Sequence, residues 1–293
     1  MMKLSSMHPI TSTVYFASVL LISMFVMHPL YQVMAFAGGF CYYAMLKYKR
    51  ITCKEITLYV VLFLLISATN PLFSHNGITV LFYMNNNPVT LESLLYGTNL
   101  AIMLLGILIW FKCLSIVLTE DKMLCVFGRI SPKIALLISI TLRFIPLLSE
   151  QSKKVRNAQK AMGMYSSEAW IDKIRSTMRV YSSVIGWAIE NAVYTGNSMK
   201  ARGYGIGKRT SYNDFKFSAR DCIFISVLVI LNVAVYIGIT IGKTEFSFYP
   251  EITVADFNMS FAVSVGAFCA LSFLPFILEL KEDIQWKFYR SRI

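Results

Sequence analysis

Six apolar runs punctuate the sequence: Ile10–Met27, Leu30–Leu46, Ile56–Phe73, Leu94–Leu118, Cys222–Ile241 and Phe257–Leu278. About 20 helical residues cross the hydrocarbon core of a bilayer, so each run is long enough for a membrane span or falls slightly short of it. Backbone placed in hydrocarbon must satisfy its own hydrogen bonds, and a single run of this length does so as an α-helix. The first two runs meet at His28-Pro29 and read as a short pair joined by a tight turn, and Asn70-Pro71 ends the third. Composition points the same way. The chain is 56% hydrophobic and only 15% charged, where a soluble domain carries about 25% charged residues. Disordered, collagen-like and disulfide-scaffold classes fail on the same numbers. The expected fold is all-α: a multi-pass membrane protein with about six transmembrane helices and long amphipathic helices on its cytoplasmic side.

The Ala35-Phe36-Ala37 triplet has the small-x-small pattern of a leader cleavage site. The apolar run continues past it and only Lys3 precedes the run, so a retained membrane helix is expected there. Three regions follow: residues 1–118 with about four spans, 119–221 of a different, basic composition, and 222–293 with about two spans and a tail.

The formal charge of +12 has a topological explanation. With the N-terminus in the cytoplasm, 26 of the 28 Lys and Arg fall in cytoplasmic segments, and the outward loops hold only Lys243. The reversed orientation inverts the positive-inside pattern, so both termini are expected in the cytoplasm and no nucleic-acid partner is called for. The spans are short of ionisable groups: Glu92 and Asp256 lie at span edges. Ion-coupled carriers need buried Asp, Glu or His relays, which argues against a self-contained one. The six cysteines form no C-x-x-C pair and read as small hydrophobes. His8, His28 and His75 are far apart with no carboxylate beside them, so no metal site is expected from this chain alone. A Gly238-x-x-x-Gly242 pair ends the fifth run and suits close packing against another helix.

The basic region reads as long helices. Leu142–Met162 sets Phe144, Leu148, Val155, Ala158 and Met162 near one side against Glu150, Lys153, Lys154, Arg156 and Lys160. Pro146 predicts a kink or a helix start. The stretch Lys133–Leu148, interrupted by Arg143, is expected at the membrane interface and not as an ordinary span. After a break at Gly163–Ser167, a second helix is expected from Glu168 to about Arg202. Its apolar pairs Val180/Tyr181, Val184/Ile185, Ala188/Ile189 and Ala192/Val193 recur every fourth residue as one stripe. Each helix stops at a similar cluster, Lys160-Ala161-Met162-Gly163-Met164-Tyr165 and Lys200-Ala201-Arg202-Gly203-Tyr204-Gly205. One such cluster is an ordinary helix end, a cation followed by a Gly cap. Two alike suggest docking surfaces. The run Gly203–Thr210 superficially resembles a phosphate loop, but Arg202 stands where the first Gly belongs and Arg209 where Ser/Thr belongs. No cofactor is expected on this chain.

Two motifs resemble a known family. Leu142-Arg143-Phe144-Ile145-Pro146-Leu147-Leu148-Ser149-Glu150 with Ala158-Gln159-x-Ala161-x-Gly163 is one; Asn197-Ser198-Met199-Lys200-Ala201-Arg202-Gly203-Tyr204-Gly205 with Lys208-Arg209-Thr210 is the other. Together they resemble the transmembrane T component of energy-coupling factor (ECF) transporters, the CbiQ/EcfT family. The resemblance implies a non-catalytic subunit of an ABC importer in a prokaryotic cell membrane. It implies as partners two cytoplasmic ABC-type ATPases, a membrane S component that captures a vitamin or a cobalt or nickel ion, and the lipid bilayer. It also implies that Ala201-Arg202-Gly203 and Ala161-Met162-Gly163 dock the ATPases, with Arg202 as an anchor. Met162 stands where the family has arginine, so one contact is either hydrophobic or served by Lys160 or Arg156. The competing readings are a subunit of another ABC importer, a stand-alone carrier, or a membrane enzyme. The last lacks paired carboxylates or a His/Cys constellation.

Overall fold

The computed structural model describes residues 4–47, 53–74, 77–84, 87–164, 170–207, 215, 217–241, 246–249 and 258–290. His75, Tyr165, Glu168, Lys208-Arg209-Thr210, Gly242, Lys243 and Asp256 lie outside the described residues. The helices in chain order are α1 (Pro9–Phe25), α2 (Pro29–Leu46), α3 (Cys53–Phe73), α4 (Leu91–Val117), α5 (Glu120–Ile130), α6 (Pro132–Ala161), α7 (Trp170–Ala201), α8 (Ala219–Ile241) and α9 (Met259–Arg290). Before α4, strands β1 (Val80–Met84) and β2 (Asn87–Thr90) form an antiparallel hairpin. Five helices, α3, α4, α6, α8 and α9, are long and apolar enough to cross a membrane, and α1 is a shorter apolar helix. The chain forms two compact units, Met1–Met123 with Phe215–Ile293, and Leu124–Asp214.

The first unit is held by helix packing that small residues permit. α2 packs on α4 and on α9, α3 on α4, and α8 on α9. A Cβ at Gly38 would stand 2.9 Å from the Ser272 carbonyl oxygen, and one at Gly238 would stand 2.9 Å from that of Ser260. Glycine at these two positions lets α2 and α8 press against α9, the role expected of Gly238. Aromatic side chains fill the centre. Trp110, Tyr15, Phe16, Tyr31 and Tyr42 are fully buried. The Trp110 indole donates to the Ala35 carbonyl at 2.9 Å, Tyr15 to the Leu271 carbonyl at 3.1 Å and Tyr31 to Ser264 at 2.6 Å. Trp110, Tyr15 and Tyr31 thus keep partners for their buried polar atoms.

The two described histidines have a structural role. His8-Pro9 opens α1 and His28-Pro29 opens α2. In each pair the ring Nδ1 accepts from the amide two residues on, at 3.3 Å from Ile10 and 3.2 Å from Leu30. The proline at the first helical position has no N–H to leave unsatisfied. Asp221, buried at the start of α8, accepts from the amides of His8 at 2.9 Å and Ser218 at 3.0 Å, which joins the starts of α1 and α8. Glu92, at the start of α4, accepts from the Thr79 hydroxyl at 2.8 Å and braces the hairpin. Lys122 in the first turn of α5 donates to the Val117 carbonyl at 3.1 Å and caps the end of α4.

The structure departs from the sequence expectations in three places. α6 is one helix that contains Pro146, so the proline marks no helix start. Its apolar part meets the length and composition of a span. A proline within an apolar helix removes one hydrogen bond, here the one an amide at 146 would give the Leu142 carbonyl, and nearby groups can compensate. The segment before α4 folds as a hairpin, with Val80 opposite Thr90 and Met84 opposite Asn87. α9 runs on to Arg290, well beyond the apolar run that defines its span. The second basic helix is described from Trp170, and its expected start at Glu168 lies outside the described residues.

Candidate functional site

The site is built from the ends of α6 and α7 within the second unit. At the end of α6, the Met162 amide donates to the Ala158 carbonyl at 3.1 Å, that of Gly163 to Lys160 at 3.0 Å, and that of Met164 to Gln159 at 3.1 Å. At the end of α7, the Arg202 amide donates to Ser198 at 3.1 Å, Gly203 to Lys200 at 2.9 Å, and Tyr204 to Met199 at 3.0 Å. Both are Schellman caps, in which a left-handed residue lets the chain turn back on the last carbonyls. The left-handed residues are Gly163, with φ 75°, and Gly203, with φ 83°. A Cβ at Gly163 would meet no atom within 4 Å. Backbone conformation, and not crowding, therefore calls for glycine.

The caps correspond residue for residue in their hydrogen bonds: Ala161-Met162-Gly163-Met164 with Ala201-Arg202-Gly203-Tyr204. In both, the alanine and the residue after it are exposed, so Met162 and Arg202 project from equivalent places. Met162 is 64% exposed, so its side chain is open to a partner.

The caps lie at opposite ends of an antiparallel pair. Ser176 of α7 donates to the Met164 carbonyl at 3.0 Å, tying the end of α6 to the early part of α7. At the other end, Pro132 and Lys133 of α6 share a recess with Tyr204 and Gly205 beyond α7. A helix of 32 residues is about 48 Å long at 1.5 Å per residue. Two partners that engage the two caps must therefore be separate bodies, or one large body with two separate sites.

The apolar stripe of α7 divides. Ser176, Val180 and Val184 are buried, at the i, i+4 spacing of one face. Tyr181, Ile185, Ile189 and Val193, together with Ile171, Ile174 and Met178, remain exposed. Of the predicted stripe, Val180 and Val184 are thus buried, Ala188 is half-buried, and Tyr181, Ile185, Ile189, Ala192 and Val193 stay open.

One residue near the first cap had no signal in the sequence. The Arg179 guanidinium of α7 lies 3.6 Å from the Met164 sulfur. It supplies a cation beside the cap that lacks its own arginine, alongside Lys160 and Arg156, both exposed on α6. Arg179 is 17 positions from Met162, so only the packing of α6 on α7 reveals it. Among the described residues no group of three or more His, Cys, Asp or Glu side chains is placed to hold a metal ion. The Gly203–Gly207 segment follows a helix and not a strand, which separates it from phosphate loops.

An all-α chain with five span-length helices and a basic helical pair that ends in twin caps defines a class: a multi-pass membrane protein. Comparison with known families makes this specific. The profile of the CbiQ family, described as cobalt transport protein, matches residues 4–212. The chain belongs to this family, and the CbiQ/EcfT resemblance read from the two motifs holds. Relatives include the energy-coupling factor transporter transmembrane protein EcfT of Listeria innocua, 36% identical over 101 residues, a match covering 33% of this chain and 38% of the relative. The EcfT protein of Streptococcus thermophilus is 31% identical over 117 residues, covering 39% and 44%. That of Brevibacillus brevis is 35% identical over 126 residues, covering 40% and 47%. The matched stretches span less than half the length of these relatives.

Proposed function

We propose that this chain is the transmembrane coupling subunit of an ECF-type ABC importer, and that two ABC-type ATPases dock on the ends of α6 and α7. The observation that carries the proposal is the pair of matching caps at opposite ends of one antiparallel hairpin. Arg202 is the anchor at one end, where a charge-assisted hydrogen bond in a partner groove contributes about 1.5–3 kcal/mol. Met162 offers an apolar contact at the other, with Arg179 close by. The small Ala161 and Ala201 let a partner approach the helix ends.

In this reading both termini and the α6–α7 pair face the cytoplasm, in line with the positive-inside pattern. The open half of the α7 stripe, from Ile171 to Val193, receives a membrane S component that captures a vitamin or a transition-metal ion. ATP binding and hydrolysis occur on the ATPases, and this chain contributes no catalytic group. Motion of the two ATPases reaches the S component through α6 and α7, because a continuous helix transmits a displacement at its end along its length.

Mild-detergent purification of the chain from its native membranes, with mass spectrometry of what is retained, tests the proposal. Two ABC-type ATPases and a small membrane protein are the expected companions. Recovery of the chain alone, under conditions that preserve other membrane complexes, would contradict it and favour a stand-alone carrier. Recovery of ATPases without the small protein would favour another kind of ABC importer.

A further inference from the structure

A second charged site lies in the first unit. It sits where α2 ends, α3 begins and α4 nears its last turns. Lys47 pairs with Glu55 at 2.5 Å and donates to the Tyr43 hydroxyl at 3.3 Å. The Tyr43 hydroxyl in turn donates to the second Glu55 oxygen at 3.2 Å. Glu55, and after it Tyr43, hold the Lys47 ammonium above its usual pKa range. The one carboxylate of the cluster is thus engaged by one cation and one phenol.

Lys112 is the unmatched charge. It belongs to α4, one of the span-length helices. Its Nζ stands over the Tyr59 ring at 4.7 Å and the Tyr43 ring at 5.8 Å. No carboxylate comes within ion-pair distance of it among the described residues. Two ammonium groups and one carboxylate leave the cluster with one excess positive charge. The cluster borders an open recess of about 500 Å³, lined by Tyr43, Lys47, Glu55, Lys112, Ser115 and Ile116 among others. That volume lies within the ordinary range of small-ligand sites.

An isolated lysine near a span end ordinarily extends its ammonium to water. Here the ammonium is held over two aromatic rings at the edge of a recess, where an anion would complete its coordination. The surroundings specify the rest of the ligand. From Ser115 and Ile116, the exposed residues Phe111, Leu108 and Leu104 follow one another along α4, about one turn apart, toward the middle of the span. A ligand with a phosphate at one end and hydrocarbon at the other matches both parts. The geometry points to a binding site for the phosphate of an anionic phospholipid, with the headgroup on Lys112 and Lys47 and an acyl chain along Phe111, Leu108 and Leu104. Basic pockets between membrane helices are known to take such headgroups. The site shares no residue with the helix caps and stands whether or not ATPases dock there.

The test uses the full chain reconstituted in vesicles of equal parts phosphatidylcholine and phosphatidylglycerol, then released in mild detergent for native mass spectrometry. The expected result is retention of phosphatidylglycerol about tenfold above phosphatidylcholine, the effect of one charge-assisted contact. Lys112→Gln is expected to abolish that enrichment and Lys112→Arg to keep it, with helix content unchanged by circular dichroism in both. Inorganic phosphate, followed by broadening of its phosphorus resonance, distinguishes the two sources of the anion. Broadening that depends on Lys112, without lipid enrichment, keeps the anion site but overturns the lipid. Equal retention of the two lipids with no effect of phosphate overturns the site, and so does undiminished enrichment in Lys112→Gln. Should Lys112→Gln lose helix content, the enrichment in Lys112→Arg decides, since a loss there as well, with helix content intact, contradicts the charge requirement.

Discussion

The ends of α6 and α7 share one backbone and differ in one side chain. Both turn through a left-handed glycine, both return amides to the carbonyls of residues 159 and 160 or 199 and 200, and both expose the residue before the glycine. At one end that residue is Met162 and at the other Arg202. The difference separates what a helix end needs from what a partner needs. The cap requires glycine and nothing of its neighbour, so the identity of the neighbour is free to be set by what docks there. An exposed arginine is unremarkable near a helix C-terminus, where it faces the negative end of the dipole. An exposed methionine in the same position has no such explanation within the chain. In the proposed complex, Arg202 gives a directional, charged anchor and Met162 an adaptable apolar one.

The sharpest way to break this comparison is Arg202→Glu. Uptake is expected to fall to background while the amount of chain in the membrane stays unchanged, measured by transport of labelled substrate and by immunoblot of the membrane fraction. Charge reversal removes about 1.5–3 kcal/mol of charged hydrogen bonding and adds repulsion, enough to empty a docking groove. A large fall in membrane level would assign Arg202 to folding instead.

The next largest effect is expected on the α7 stripe, and it contrasts the two halves of that stripe. Ile185→Asp, on the open half, is expected to remove the small membrane partner from the purified complex and leave the thermal stability of the isolated chain within about 0.5 kcal/mol of the parent, as for surface changes generally. Val184→Ala, on the buried half, is expected to retain the partner and lower stability by about 1–2 kcal/mol, the cost of lost buried methyl groups. The opposite pattern would exchange the roles of the two faces.

Smaller effects sharpen the difference between the caps. Met162→Asp is expected to weaken ATPase retention by less than Arg202→Glu does, and Met162→Arg to leave retention within a few-fold of the parent, because Arg179 already places a cation near that end. Quantitative co-purification of the two ATPases measures both. Gly163→Ala and Gly203→Ala should each cost about 1–2 kcal/mol locally, since a Cβ disfavours the left-handed conformation. Hydrogen exchange is expected to be faster at the amides of residues 162–164 and 202–204 respectively. Equal exchange in the parent and variant chains would remove the caps from the account.

Much of this was legible in the sequence because the decisive signals are local. Apolar runs mark α3, α4, α8 and α9, and the four-residue step of α7 marks its length. The glycines at 163 and 203 mark the two helix ends and lead directly to Ala161, Met162, Ala201 and Arg202. What stayed hidden depends on contacts between distant residues. Nothing local says that Val184 is buried while Ile185 is open, because the two are adjacent and equally apolar; the packing of α6 decides it. Arg179 reaches Met164 only through the same packing. Pro146 allows a helix start by its chemistry, yet α6 runs through it, since one lost hydrogen bond is a small fraction of those along a 30-residue helix. The hairpin before α4 is set by pairing of β1 with β2 and by Glu92 beneath it, and a run such as Val80-Leu81-Phe82 is short enough to be read either way.

Site-specific photo-cross-linking tests the central claim most directly. A photoreactive residue is placed at 162 or at 202, with one at Leu64, an exposed position on the span-length helix α3, as a control. Cells are irradiated with the transporter in place. The account predicts adducts with ABC-type ATPases from both 162 and 202, and none from 64. Absence of ATPase adducts from both helix ends, with both variants still active in uptake, would contradict it.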